Sequence, residues 1–296
     1  MPFNPFNIVH KRRYWYIISA ILIIPGLISL FFQGLNLGIH FTGGNITEIR
    51  VDQSVTTAQV REVVRNQELT DRYIQESTDG VFLIRTEVLT EQETNALLAA
   101  LDEELGGMTL LRSDKVGPTI GAEIARNALI ALAIAAVLMM LYIAWRFEFT
   151  KGLATIATIV HDVLVTVGII SLLQLEVDSA FVAAVLTIVG YTINATIIIF
   201  DRIRENMVLK RGMKVDQVIN ISVWQTLNRT VNTSLTVLFV LVPLFIFGGT
   251  TLKGFALALI IGVTAGAYSS MFLAGTLWYD IIGERRRKRL VRGEQS

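Results

Sequence analysis

Three sets of polar residues are spaced as if to act together inside stretches otherwise too apolar to hold them. Thr158, Asp162 and Thr166 recur at i, i+4, i+8. Thr187, Tyr191 and Asn194 recur at i, i+4, i+7, and Arg229, Asn232, Thr233 and Thr236 at i, i+3, i+4, i+7. Each spacing puts its members on one face of a helix. Ionisable groups at membrane depth are costly and face a bundle interior or a wet cavity. A carboxylate there has to be protonated or paired, which makes Asp162 a candidate proton-binding group. Arg229 does not give up its proton. It either holds a carboxylate ionised or snorkels to the interface. The threonines alone have a plainer use, bonding across packed helices for about 0.6–2 kcal/mol. The three stripes are expected to meet along one polar seam, with Asn194 beside Asp162 and Arg229.

The elements that must position these residues are membrane spans. Of 296 residues, 52% are hydrophobic and 17% charged, against about 25% charged in soluble domains. Apolar runs of about 20 residues suffice to cross a bilayer. Six such runs occur, at 14–33, 128–147, 153–174, 181–200, 231–249 and 255–281. The first is too long for a signal peptide and lacks a small-residue cleavage site, so it reads as a retained anchor. Gly262, Gly266 and Ser270 form a small-residue ladder suited to close helix contact, and Pro243 is a candidate kink.

Charge gives an orientation. Basic clusters fall at 11–13, 146–151, 202–214 and 285–292. By the positive-inside bias both termini are cytoplasmic. Residues 45–123 carry 15 acidic and 7 basic side chains, a net of −8, while the remainder sums to +9. This acidic insert between the first two spans is therefore expected outside the cytoplasm. Its pattern reads β-α-β-β-α-β: strands at 46–51, 72–77, 81–87 and 108–113, with helices at 56–67 and 90–105. Thr90 and Glu93 form a capping box, and Asp79-Gly80 is a hairpin signal. That order suggests a ferredoxin-like fold. The fold class is thus a polytopic α-helical membrane protein with six transmembrane helices and one small α+β ferredoxin-like extracytoplasmic domain. The expected divisions are 1–33 (N-terminus and first span), 34–125 (the domain), 126–282 (a five-helix bundle with a cytoplasmic loop at 201–228) and 283–296 (a basic tail).

Several chemistries are excluded or lack a foundation. With no cysteine, disulfides, thiol catalysis and Cys metal sites are impossible. The three histidines, His10, His40 and His161, lie in different regions, so a His-rich metal site is not expected. No serine-hydrolase elbow, intramembrane protease signature or phosphate loop occurs. The expectation is a non-enzyme without cofactor.

Five blocks together resemble one family. GLNLGIHFTGGN (34–45), DKVGPTIGAEIARNA (114–128), HDVLVTVGI (161–169), VGYTINATIIIFDRIREN (189–206) and QTLNRTVNTSLT (225–236) are similar, in order, to the SecD/SecF family of bacterial protein-export membrane subunits. The likeness covers the chain, more weakly through the insert. The resemblance implies a six-span half of an RND-like assembly that works with SecD. It would promote passage of unfolded preproteins through the SecYEG translocon in the cell membrane, driven by the proton-motive force. The family's intramembrane proton step carries over onto Arg229 and onto Asp162, beside Asn194. Asp201, Arg202 and Arg204 match a block read as structural or gating. Two positions depart from the family: Ala195 stands where an Asp is usual, and His40 stands where the family's GIDFTGG has Asp. Two other readings stay open at this point: an RND-type small-molecule or lipid exporter half, and a scaffold subunit without proton coupling.

Overall fold

A computed structural model describes residues 7–51, 55–67, 69, 71–78 and 80–284. Asp79 of the hairpin signal and the basic cluster at 285–292 lie outside the described residues. The chain divides into two compact units, Leu37–Ala131 and the remainder.

The first unit is the α+β domain. Its four strands, Gly44–Val51, Asp71–Thr78, Val81–Thr86 and Met108–Val116, form an antiparallel sheet. Numbered along the chain, they stand in the order 2-3-1-4, as the ferredoxin-like reading requires. The helices Thr57–Asn66 and Glu91–Glu104 cover one face. Val60, Val63, Val64, Leu97 and Leu101 are buried there against Ile49, Val51, Ile74, Phe82 and Ile84. The apolar repeat of each helix and the strand alternation thus converge on one core.

Both helices begin with a reciprocal capping box, Thr56 with Gln59 and Thr90 with Glu93. The Glu93 carboxylate accepts hydrogen bonds from the Thr90 amide at 2.7 Å and from its hydroxyl at 2.8 Å. These bonds favour the ionised form and hold the Glu93 carboxyl below the ordinary glutamate range, backbone bond first. A depressed folded value means that the contribution is present above the unfolded value, about 4.3, and is lost as pH falls through the folded one. Thr90→Ala removes the cap and is expected to cost about 1 kcal/mol. Amide protection factors at the start of Glu91–Glu104, each taken against the intrinsic exchange rate at that pH, check both effects: lower at neutral pH in the variant, and lower at low pH in the parent.

The second unit contains helices Arg12–Phe32, Phe149–Leu172, Ser179–Leu209 and Val215–Phe247, the last stretch Leu252–Ile281, and the larger part of Pro118–Arg146. These are six helices long and apolar enough to cross a membrane. The third and sixth are the centre of the bundle: 50% and 61% of their apolar windows are buried, against 6% for the second. Residues 201–228 were expected as a loop, and here the structure corrects the sequence reading. The fourth helix runs on to Leu209 and the fifth starts at Val215, leaving only 210–214 between them. Ile203, Val215, Val218, Ile219 and Val223 are buried along this extension. The apolar periodicity persists among the charges, so amphipathic helices continue past the membrane-length runs.

Candidate functional site

Asp162 lies at the middle of the third span and is fully buried. One carboxylate oxygen, Oδ2, accepts hydrogen bonds from Thr192 Oγ1 at 2.7 Å and from Ser269 Oγ at 2.8 Å. The other, Oδ1, is 2.8 Å from Nδ1 of His161. The third, fourth and sixth spans are therefore tied at a single carboxylate. Thr158 and Thr166, the rest of its stripe, are also fully buried and bond back to the carbonyls of Thr155 and Asp162.

The knot closes because small residues let the helices approach. A Cβ added at Gly266 would stand 2.8 Å from Thr192 Oγ1 and 3.4 Å from Asp162 Oδ2. Gly262 lies on Ile188, and Ser270 Oγ is 3.3 Å from Thr196 Oγ1. The 262–266–270 ladder is thus a packing surface against the fourth span. At Ser269 the sixth helix opens into a π turn, Ser269–Ala274, a feature frequent at functional positions in helices.

The fourth-span stripe does not join this knot. Thr187 and Asn194 are exposed and Tyr191 is half-buried, whereas Thr192 and Thr196 are fully buried. Residues 192 and 194 differ by about 200° around a helix of 3.6 residues per turn. The span is polar on two opposite sides, and the expected proximity of Asn194 to Asp162 is corrected accordingly. Arg229, Asn232, Thr233 and Thr236 are likewise exposed. Tyr191 Oη and Ser234 Oγ, 2.7 Å apart, join the two helices beside this outer face. The helices are antiparallel, with Arg202 bonded to Gln225 and Asn206 to Ser222. Five residues from Ser234 then bring Arg229 level with Thr196, about 7.5 Å along the axis from Tyr191. Arg229 therefore sits beside the buried Ala195 in depth. Among the described residues, no cluster of three or more His, Asp or Glu is arranged to hold a metal ion.

The family model "Protein export membrane protein SecD/SecF, C-terminal" matches residues 97–284, and the "SecD/SecF GG Motif" matches residues 28–55. The chain belongs to the SecD/SecF family. The protein translocase subunit SecF of Acidaminococcus fermentans is 43% identical over 282 residues, which cover 92% of this chain and 96% of that one. The SecF of Sebaldella termitidis is 42% identical, over 98% and 95% of the two chains. A crystal structure of a Thermus SecDF, described as a translocon-associated membrane protein, superposes with a TM-score of 0.86 at 36% identity. It matches 93% of this chain, which in turn covers 38% of that longer one. The chain is thus a multi-pass bacterial membrane protein of the SecD/SecF family, whose relatives are named as translocase subunits rather than as enzymes.

Two SecD/SecF motifs explain each other within the α+β unit. Gly43 and Gly44 have φ of +69° and +137°, conformations that disfavour other residues. A Cβ at Gly44 would meet the Thr86 carbonyl at 2.7 Å, and one at Gly121 would meet the Gly43 nitrogen at 2.9 Å. The GG motif and the VGP-x-x-G block are thus one close backbone contact. His40, the departure beside it, lies half-buried in the short helix Ile39–Thr42. At the far end of the fourth span, Asp201 receives both carboxylate bonds from Arg146 Nη2 at 2.6 Å. Arg202 bonds Gln225 and Glu205, while Arg204 is exposed. Asp201 and Arg202 connect helices here.

Sequence reasoning passed over three members of the site. His161 was weighed only as a metal ligand. Thr192 lay off the stripe that was counted. Ser269 owes its place to a π turn that no periodicity announces.

Proposed function

We propose that this chain is an auxiliary subunit of the Sec export machinery. It works with SecD to promote the passage of unfolded preproteins through SecYEG, using the proton-motive force. The outer face of the fourth and fifth spans carries this reading: Thr187, Asn194, Arg229, Asn232, Thr233 and Thr236 are exposed together at membrane depth. Six polar side chains on one exposed face call for a polar partner surface rather than lipid. SecD is the partner that fits. The Bacillus subtilis relative is a SecDF of which this chain matches 40%, so additional SecDF sequence lies on the same chain in that protein. Arg229 would face a carboxylate on SecD, since Ala195 supplies none. Asp162 is the proton-binding candidate within the chain itself.

Both termini are taken as cytoplasmic, with residues 34–125 on the other side and both contacts to the exported chain and to SecYEG made from the assembled complex. Because the chain has no cysteine, Glu91→Cys and Arg204→Cys report orientation without background. A membrane-impermeant maleimide added to intact spheroplasts should label the first and spare the second.

The deciding experiment is affinity purification of the full chain from native membranes, followed by identification of co-purifying subunits. SecD and SecYEG are the expected result. Purification without SecD, together with stable self-association, would instead favour a self-sufficient exporter.

A further inference from the structure

The knot around Asp162 contains one polar atom that its hydrogen bonds leave over. His161 is buried and its Nδ1 is engaged by Asp162 Oδ1, but Nε2 is buried with no hydrogen-bond partner among the described residues. The groups that surround the pair are few. The fourth span contributes the Thr192 hydroxyl. The sixth contributes the Ser269 hydroxyl and the Tyr268 ring, whose centroid is 6.0 Å from that of the imidazole. The Tyr268 hydroxyl is itself bonded to the Trp15 carbonyl of the first span at 2.8 Å and lies 3.5 Å from Ser19 Oγ. Within the third span, Thr158 and Thr166 spend their hydroxyls on backbone carbonyls. Among the described residues, no arginine, lysine or second carboxylate is bonded to the pair.

Proton counting then has a short list of outcomes. Asp162 Oδ2 accepts from two hydroxyls, and with the proton on Nδ1 Oδ1 accepts from the imidazole, which fills three of the roughly four acceptor sites of an ionised carboxylate. With Nε2 bare the pair carries −1. With a proton on Nε2 it is an imidazolium–carboxylate pair of net charge zero. A proton moved from Nδ1 to Oδ1 gives the neutral tautomer at the same total count. The pair thus exchanges one proton with its surroundings, and Nε2 is the atom where it arrives and leaves.

We infer that His161 and Asp162 form a two-residue binding site for a single proton, with His161 Nε2 as the exchanging atom. This deepens the proton-coupled reading above and rests on it for its use, although the site itself can be tested alone. Loading that proton takes the pair from −1 to zero, and where the Nδ1 proton then passes to Oδ1, Thr192 and Ser269 donate to a neutral carboxyl instead of a carboxylate. The bonds holding the fourth span and the π turn of the sixth to the third are therefore stronger in one state than in the other. A charge change at this point biases two arrangements of the bundle without requiring a carboxylate at position 195.

The test uses the full chain in lipid bilayers, labelled with nitrogen-15 histidine. There are only three histidines, so His10→Gln and His40→Gln assign the His161 signals by elimination. The expected result is a single proton transition at His161 Nε2, with a midpoint that moves by about one pH unit or more in Asp162→Asn. A His161 signal unchanged across the pH range, or a midpoint indifferent to Asp162→Asn, overturns the inference. Export assays in vesicles with SecD and SecYEG separate the two levels. Gradient-stimulated export beside a silent His161 removes the pair and leaves the proton-driven reading standing. A titrating His161 beside export that ignores the gradient upholds the site and removes that reading.

Discussion

Vesicles carrying Arg229→Ala are expected to lose gradient-stimulated export by about tenfold or more, while SecD still co-purifies. Arg229 is level with Thr196, beside the buried Ala195, and its side chain is exposed in the isolated chain. The proposed function gives Arg229 a counter-charge on SecD. Removing one partner of a buried ion pair strands the other at about 3–5 kcal/mol. Each 1.36 kcal/mol is tenfold in a rate, so even part of that penalty at the proton step meets the expected loss. Assembly survives because Asn232, Thr233 and Thr236 still face the partner. Arg229→Lys separates charge from shape: it keeps the positive charge but not the planar fork, so partial activity is expected. Ala195→Asp gives the chain the carboxylate usual in the family. If Arg229 is the counter-charge, this variant should raise stimulation in the parent background and not in Arg229→Ala. Full stimulation in Arg229→Ala would take Arg229 out of the mechanism.

The same two helices show where sequence reading succeeds and where it stops. The six spans were legible because crossing a bilayer imposes length and apolarity on contiguous residues, which a sequence records directly. The α+β unit was legible because Thr90 and Glu93 mark a helix start and the strand alternation marks faces. Which polar face of the fourth span points inward was not legible. Thr187, Tyr191 and Asn194 make a clean stripe, and so do Thr192 and Thr196, almost opposite. Periodicity identifies a face without saying what lies against it. The deciding information was in the sixth span, where Gly262 and Gly266 admit Ile188 and Thr192. The ends of the helices were missed for a related reason. Past residue 200 the buried positions Ile203, Val215, Ile219 and Val223 are spaced among charges, and a hydropathy window averages them away.

The two faces divide the work of the fourth span. Its inner side, through Thr192 and Thr196, is bonded to the third and sixth spans. Its outer side presents Asn194 at the depth of Arg229. A displacement of this helix would be felt at the Asp162 knot and at the partner face together, because one rigid element carries both. Under the proposed function, coupling would consist of a two-sided helix whose position both sites bias.

The largest structural effect is expected from Gly168→Leu, which should sharply lower the thermal stability of the folded chain. The first and third spans meet at Gly26 and Gly168. A Cβ at Gly26 would stand 2.6 Å from the Gly168 Cα, and one at Gly168 would stand 2.9 Å from the Gly26 Cα. Both obstacles are backbone, so no rotamer change relieves them, and the helices must separate. Separation breaks the bond between Ser29 Oγ and Ser171 Oγ at 2.8 Å, and that from Ser171 Oγ to the Gly34 carbonyl at 2.7 Å. Overpacking a well-filled site costs about 1–3 kcal/mol and occasionally more, and the two lost bonds add about 0.6 kcal/mol each. Gly262 provides the contrast. There the three atoms nearest to an added Cβ all belong to the side chain of Ile188, so Gly262→Ala should be rescued by Ile188→Ala. No side-chain change across the interface should rescue Gly168→Leu. Thermal aggregation of the detergent-solubilised chain measures both: a lowered midpoint recovered in the 262/188 double variant, and none recovered at 168. A Gly168→Leu chain with an unchanged midpoint would mean that the first and third spans do not pack through this contact.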